Sequence, residues 1–245
     1  MCGIAGAVSF QSMVDPEKLR PVATRQRHRG PDDTGFWASP SGCCALAHNR
    51  LAVLDLSSAA AQPMHDAEGR FTIVFNGEAY NFQELRKTCE AKGYRFRSTS
   101  DTEVVLAGYS LFGPDVLERI RGMFAMAVWD ESERTLFLAR DRFGEKPLYY
   151  SLHNGQLLFA SELHPLLGHV DAPRDIDPEG LELFFQFQCV PTPWTAFKFI
   201  KKLRPGHSMV FSAQGARTQQ YWSLDYRSKN ALDESQAVER LEELL

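Results

Sequence analysis

Seven consecutive apolar residues, 123–129, constrain the architecture of this chain more than any other stretch. An unbroken run of that length marks a strand covered on both faces, so a layer must pack above it and another below. Residues 130–134 then turn the chain and 135–139 return, which makes the run one arm of a hairpin. A second hairpin is written in 148–152 and 157–160 around His153-Asn154-Gly155, because Asn-Gly supplies the positive φ angles of a tight turn. Residues 4–9 form a short apolar run, and Phe71, Ile73 and Phe75 alternate with Thr72, Val74 and Asn76 as in a strand.

Helix starts are also legible. Asp15-Pro16-Glu17 and Asp177-Pro178 place a capping side chain before a proline that needs no amide partner. Asn81 with Glu84, and Ser100 with Glu103, have capping-box spacing. Val104, Gly108 and Leu111, and Val105, Tyr109 and Phe112, then repeat at helical spacing. Leu181, Phe184 and Phe185 define an apolar side for the helix after Asp177. Residues 188–206 collect prolines beside Lys198, Lys201, Lys202 and Arg204 and read as a connector with a solvated basic face. Residues 233–245 show a helical pattern that stops in mid-repeat, as in a chain that continues.

Composition narrows the function classes. With 245 residues, 44% of them hydrophobic, the chain can bury one or two sizeable cores. A net charge of −4 without a basic stripe argues against nucleic-acid binding. No run approaches the roughly 18 apolar residues of a membrane span, and the N-terminus lacks the basic start of a signal peptide. The five cysteines form no C-x-x-C pair, so neither a disulfide framework nor a metal site is expected and the cytoplasm is the expected location. Cys43, Cys44, Cys89 and Cys189 read as buried or half-buried small hydrophobes.

Cys2 is different. Removal of Met1 would place a thiol and a free α-amine on adjacent carbons of one residue. The amine, with an ordinary pKa of about 7.7–8.0, can take the thiol proton directly or through one water. That arrangement needs no distant base, so neither His28 nor His48 is read as catalytic.

The segments that follow Cys2 are Arg27-His28-Arg29-Gly30-Pro31-Asp32, Ala47-His48-Asn49-Arg50-Leu51-Ala52-Val53-Leu54-Asp55 and Phe75-Asn76-Gly77-Glu78-Ala79-Tyr80-Asn81. Ser100-Asp101-Thr102-Glu103, Gly122-Met123-Phe124-Ala125, Arg140-Asp141-Arg142-Phe143-Gly144-Glu145-Lys146-Pro147 and Ala160-Ser161-Glu162-Leu163 complete the set. In this order they resemble the glutaminase domain of class II glutamine amidotransferases, in the branch of glutamine-hydrolysing asparagine synthetases. The resemblance covers about the first 225 residues.

It implies an α/β fold, a four-layer αββα sandwich of two mainly antiparallel sheets as in N-terminal-nucleophile hydrolases. Cys2 would attack the side-chain amide of L-glutamine, giving glutamate and ammonia through a thioester. Asn76 and the amide of Gly77 would form the oxyanion hole, where each donor is worth about 10²–10³ in rate. A strand ending in Asn-Gly suits that task, because a side-chain amide and an unshielded backbone N–H can converge. Arg50 would hold the α-carboxylate of glutamine in its planar fork, Glu78 and Asp101 would meet the α-ammonium, and Val53 would offer backbone contacts. Arg29-Gly30-Pro31-Asp32 has turn chemistry and reads as a lid over the site.

Three segments are expected: residues 1–190 as the glutaminase domain, 191–230 as its end and a connector, and 231–245 as the start of an ATP-dependent synthetase domain. The Ser-Gly-Gly-x-Asp-Ser phosphate loop of that domain does not occur in the sequence. Hydrolysis itself would need no metal or organic cofactor; Mg-ATP would serve the synthetase domain, which amidates aspartate in asparagine biosynthesis. The expected partners are glutamine, a synthetase domain of the same chain and a second copy in a homodimer. A cell-wall or secondary-metabolite carboxylate is an alternative acceptor, and a non-catalytic glutamine-binding module is an alternative role. Ala79, Met126, Glu145 and Trp194 depart from the family pattern, none at an expected glutamine contact.

Overall fold

A computed structural model describes residues 1–227 and 232–244. Its strands are β1 (Gly3–Ser9), β2 (Asp33–Ala38), β3 (Cys44–Arg50), β4 (Met64–His65), β5 (Phe71–Ala79), β6 (Gly122–Asp130), β7 (Thr135–Arg140), β8 (Tyr149–His153), β9 (Gln156–Ala160), β10 (Ile200–Lys202), β11 (His207–Ser212) and β12 (Gly215–Gln220). Its α-helices are α1 (Arg20–Arg25), α2 (Phe82–Ala91), α3 (Asp101–Phe112), α4 (Val116–Arg119), α5 (Leu163–Leu166), α6 (Pro178–Phe187) and α7 (Glu234–Leu244). One six-stranded sheet runs β10-β8-β9-β1-β3-β2 and the other β12-β11-β7-β6-β5-β4. The pairings within both are antiparallel.

Side-chain alternation explains the layering. On β6, Ala125, Ala127 and Trp129 point between the sheets, where they meet Ile4, Val8, Leu46 and Phe159. Phe124, Met126 and Val128 point the other way, against Val104, Val105, Leu106 and Leu117 of α3 and α4. On β1, Ile4 and Val8 face the other sheet, while Ala5 and Ala7 lie under Val22 and Ala23 of α1 and Leu166 of α5. The order is therefore helix, sheet, sheet, helix. The seven-residue apolar run is a strand with a core on each side, as its composition requires.

The β8–β9 turn forms as read, with Asn154 at φ 50° and Gly155 at φ 71°. Asp15 and Asp177 cap their helices through bonds from Glu17 N and Glu179 N. Ser100 caps α3 by accepting from Thr102 N at 3.1 Å, but Glu103 does not close a box with it; its carboxylate takes Arg97 N, Ser98 N and Ser98 Oγ instead. Asn81 flanks α2 without capping it, because its amide spans to Arg119 O and Arg121 N.

Other readings need correction. Asn76-Gly77 does not end a strand: β5 continues to Ala79, with Asn76 opposite Ala125 and Gly77 opposite Phe124. The apolar side of α6 exists but is uncovered, with Leu181, Phe184 and Phe185 exposed. Cys44 and Cys89 are buried and Cys43 half-buried, whereas Cys189 is exposed just beyond α6. The basic stretch is only partly solvated. Lys198 and Arg204 are exposed, but β10 joins the edge of a sheet there and Lys202 Nζ turns in to the Val190 carbonyl.

On the face of β3 that carries Cys44 and Leu46, His48 crosses to the opposite sheet and donates from Nε2 to the Phe75 carbonyl, 3.3 Å away. Burial lowers its pKa from the ordinary 6.5 to about 3, so the ring is neutral near pH 7. Between those values the unfolded chain binds the proton and the folded chain does not. His48 therefore adds stability above pH 6.5 that is lost as the pH falls towards 3. In His48→Gln, which keeps a donor near Phe75, urea unfolding across that window should lose up to about 1.4 kcal/mol per pH unit of its slope. An unchanged slope would mean that the imidazole is not held neutral.

Candidate active site

Cys2 sits just ahead of β1, and its Sγ lies 3.4 Å from Leu51 N and 3.7 Å from Leu51 O. Two sets of bonds fix the chain there. Ile4 N donates to Ser161 Oγ and Ser161 N to Ile4 O, both at 2.9 Å. Arg29, itself buried, donates from Nε to the Cys2 carbonyl at 2.9 Å and from Nη1 to Glu162 at 2.6 Å. Glu162 also faces His28 Nε2 at 3.1 Å. In the turn read as a lid, besides the bonds of Arg29, Asp32 N donates to Arg50 O, and Asp32 Oδ2 accepts from Ala52 N.

Arg50 closes β3, and its guanidinium donates to the carbonyls of Ser57, at 3.0 Å, and Asp55. Each terminal nitrogen carries a second hydrogen for a further acceptor. On the other sheet, β5 supplies Asn76, Gly77 and Glu78. Gly77 is required by close approach, since a Cβ there would sit 2.4 Å from the Met123 carbonyl oxygen. Asp101 opens α3, where a carboxylate suits the helix dipole, and it accepts from Ala79 N at 3.0 Å.

One cavity is lined by Cys2, Arg50, Val53, Gly77, Glu78 and Asp101, together with Leu51, Gln62 and Ser100. Of the residues expected in the site, only Asn76 stands behind that lining. Its Nδ2 is buried and has no hydrogen-bond partner. A separate polar cleft, lined by Gln11, His153 and Asp171, contains none of these residues.

The charges are arranged in opposition. Burial and the neighbouring Asp101 push the Glu78 carboxyl above its usual range, and Lys146 offsets part of this. Burial also raises Asp101, against the hydrogen bonds it accepts from Ala79 and Thr102. Burial pushes the Cys2 thiol up, with Glu78 and Asp101 adding to the rise; the Leu51 amide and the N-terminal charge act against it. A cation between the two carboxylates would relieve all three groups.

Gln62 is the residue that sequence reading missed. It clamps both ends of the Phe75 residue: Oε1 accepts from Phe75 N at 2.6 Å and Nε2 donates to Phe75 O at 3.3 Å. Nε2 also reaches Thr102 Oγ1 at 3.1 Å. The clamp fixes the backbone immediately before Asn76. Gln62 lies in an irregular stretch with no periodicity, so only its neighbour Pro63 marked a constrained turn.

The solved structure of glutamine phosphoribosylpyrophosphate amidotransferase from Bacillus subtilis matches 90% of this chain and 49% of its own, with a TM-score of 0.66 at 18% identity. A solved allosteric regulatory enzyme of purine biosynthesis matches 93% and 50%, with a TM-score of 0.70 at 17% identity. The chain therefore shares the fold of these two enzymes. The model of the glutamine amidotransferase domain matches residues 1–222, and the chain belongs to that family.

Among curated relatives, asparagine synthetase [glutamine-hydrolyzing] 3 of Bacillus subtilis is 39% identical over 230 residues, 92% of this chain and 37% of the relative. Amidase chry2 of Gibberella zeae is 35% identical over 89% of this chain and 32% of its own length. A putative asparagine synthetase of Methanocaldococcus jannaschii is 32% identical, with 100% of this chain and 51% of the relative covered. The chain spans between about a third and a half of these relatives.

The Gln62 clamp predicts a measurable loss. Gln62→Leu keeps the volume but leaves the buried Phe75 N–H without its acceptor, at about 1–3 kcal/mol. Thermal unfolding should shift down by about 2–12 °C, and catalytic turnover should fall with it. A variant as stable and active as wild type would show that another group takes over the Phe75 amide.

Proposed function

We propose that this chain hydrolyses the side-chain amide of L-glutamine at Cys2, releasing L-glutamate and ammonia. One observation carries the reading: a thiol shares a cavity with a guanidinium on one side and two carboxylates on the other. That is the charge order of an amino acid's α-carbon, with the carboxylate on Arg50 and the ammonium between Glu78 and Asp101. The thiol then lies where a side chain of suitable length delivers its amide.

In this mechanism Met1 is removed and the α-amine of Cys2 takes the thiol proton. Sγ attacks the amide carbon, and the developing oxyanion is met by Asn76 Nδ2 and Gly77 N–H. The unpartnered Asn76 amide supports this, because a buried donor with no acceptor is costly unless a ligand supplies one. The proton passes from the amine to the departing nitrogen, ammonia leaves, and a thioester remains. Water, activated by the same amine, then frees glutamate and restores the thiol. With its pKa lowered to about 3, His48 is no candidate base, and it is already bonded to Phe75.

The relatives are two to three times longer than this chain. The ammonia is therefore proposed to feed a synthetase domain that uses Mg-ATP to activate an acceptor carboxylate, aspartate first among them. Amidase chry2, a relative not called an asparagine synthetase, supports a second reading in which the acceptor is a carboxylate other than aspartate. Hydrolysis itself is proposed to need no cofactor. No group of three or more metal-ligating side chains converges among the described residues. No helix among them is long and apolar enough to cross a membrane.

Cys2→Ala should abolish glutamate release while the fold persists, since thiol and base reside in one residue. Near wild-type hydrolysis by that variant would overturn the mechanism. Asp101→Asn removes a charged hydrogen bond worth about 1.5–3 kcal/mol, so kcat/KM for glutamine should fall about 10- to 150-fold. Glutaramate, which lacks the α-amino group, should be a poor substrate for wild type and should suffer little further from Asp101→Asn. Equal losses on both substrates, with lowered thermal stability, would reduce Asp101 to a helix-start residue.

A further inference from the structure

We infer that Asp55 is a positioning residue for substrate: its carboxylate latches the segment that anchors Arg50 onto the turn that leads into Asp101, and so sets the spacing of the two charged ends of the pocket. The inference rests on the reading of Arg50 and Asp101 as grips for glutamine.

Residues 51–61 form one wall of the cavity, and they are not held there by apolar burial. Leu51, Val53, Leu54 and Leu56 are all exposed. The only regular structure in the segment is a single 3₁₀ turn, Ser58–Ala60. Polar bonds do the holding. Asp55 Oδ1 accepts from Ser57 N at 2.9 Å and Ser57 Oγ at 2.7 Å, which folds the segment on itself. Asp55 Oδ2 accepts from Thr99 N at 2.9 Å and Thr99 Oγ1 at 3.0 Å, across 44 positions of sequence. Thr99 lies two residues before Asp101.

The two carbonyls that Arg50 grips belong to Asp55 and Ser57, the residues folded together by this carboxylate. One side chain thus ties the Arg50 anchor to the Asp101 turn. The four donated bonds hold the Asp55 carboxyl well below the usual range, so it stays ionised through the working pH range.

Asp55→Asn preserves size but replaces one acceptor oxygen with a donor. Either the Ser57 pair or the Thr99 pair then meets an N–H instead of an oxygen. The test measures glutaminase kinetics, thermal stability and alkylation of Cys2 by iodoacetamide, followed on the N-terminal peptide with and without glutamine. Relative to wild type, Asp55→Asn should raise KM about tenfold or more, as expected for a lost pair of charged hydrogen bonds, with kcat within about threefold. Alkylation without glutamine should keep its rate, while protection by glutamine should need a concentration raised in proportion to KM. Thr99→Val, which removes only the hydroxyl bond, should show a smaller effect in the same direction.

Unchanged KM and unchanged protection in Asp55→Asn would overturn the inference, as would a matched fall in kcat and stability at constant KM. If Asp55→Asn does not fold, Thr99→Val decides the question by the same measures. Arg50→Gln separates the two layers of argument. If it leaves KM and protection unaltered, the reading of the pocket fails; if it raises KM and the glutamine concentration needed for protection while Asp55→Asn does not, only the latch fails.

Discussion

The register of β1 between β3 and β9 governs the rest of the molecule. Gly3 lies opposite Asn49, and Ala5 lies opposite Ala47 on one side and Ala160 on the other. Side chains alternate with period two, so a slip of one residue would turn Ile4 and Val8 out towards α1 and bring alanines into the space between the sheets. The inter-sheet core permits one register. That register also sets the residue before β1, which carries the thiol, against Leu51, the residue after β3. The apolar core and the site therefore share one set of backbone bonds.

Electrostatics in the pocket work against the empty protein. Glu78 and Asp101 are partly buried beside each other and the thiol, and each raises the free energy of its neighbours in the ionised state. Arg50 is not positioned to neutralise them; its bonds go to backbone carbonyls. The two signs stay apart because different elements carry them: Arg50 closes β3 in one sheet, Glu78 lies on β5 in the other, and Asp101 opens α3. A zwitterionic amino acid, the proposed ligand, would satisfy both ends, and its binding would relieve the repulsion that the folded pocket carries when empty.

The layered fold was readable because alternation and an unbroken apolar run report burial directly. Met126 and Ala127 are neighbours in sequence and lie in different cores, which is what a strand covered on both sides demands. Cys2, Arg50, Val53, Gly77, Glu78 and Asp101 were legible through ordered motifs, and the cavity gathers them. The supports were harder to find. Gln62 acts through bonds to a backbone 13 residues away, and Glu103 spends its carboxylate on the preceding turn rather than on a capping box. Neither periodicity nor local spacing encodes such reach. Asn76-Gly77 looked like a strand end because the dipeptide favours turns, yet pairing with Ala125 and Phe124 carries the strand through it.

The central position of β1 also has a bearing on synthesis. Its two neighbours come from distant parts of the chain, β3 ending at Arg50 and β9 beginning at Gln156. On a ribosome adding about 5–20 residues per second, the intervening stretch takes roughly 5–20 s to appear. Throughout that interval one edge of β1 has no partner. The segment that carries the Cys2 thiol is therefore held from the β3 side alone until β9 is made, and the sheet around the cavity closes only then.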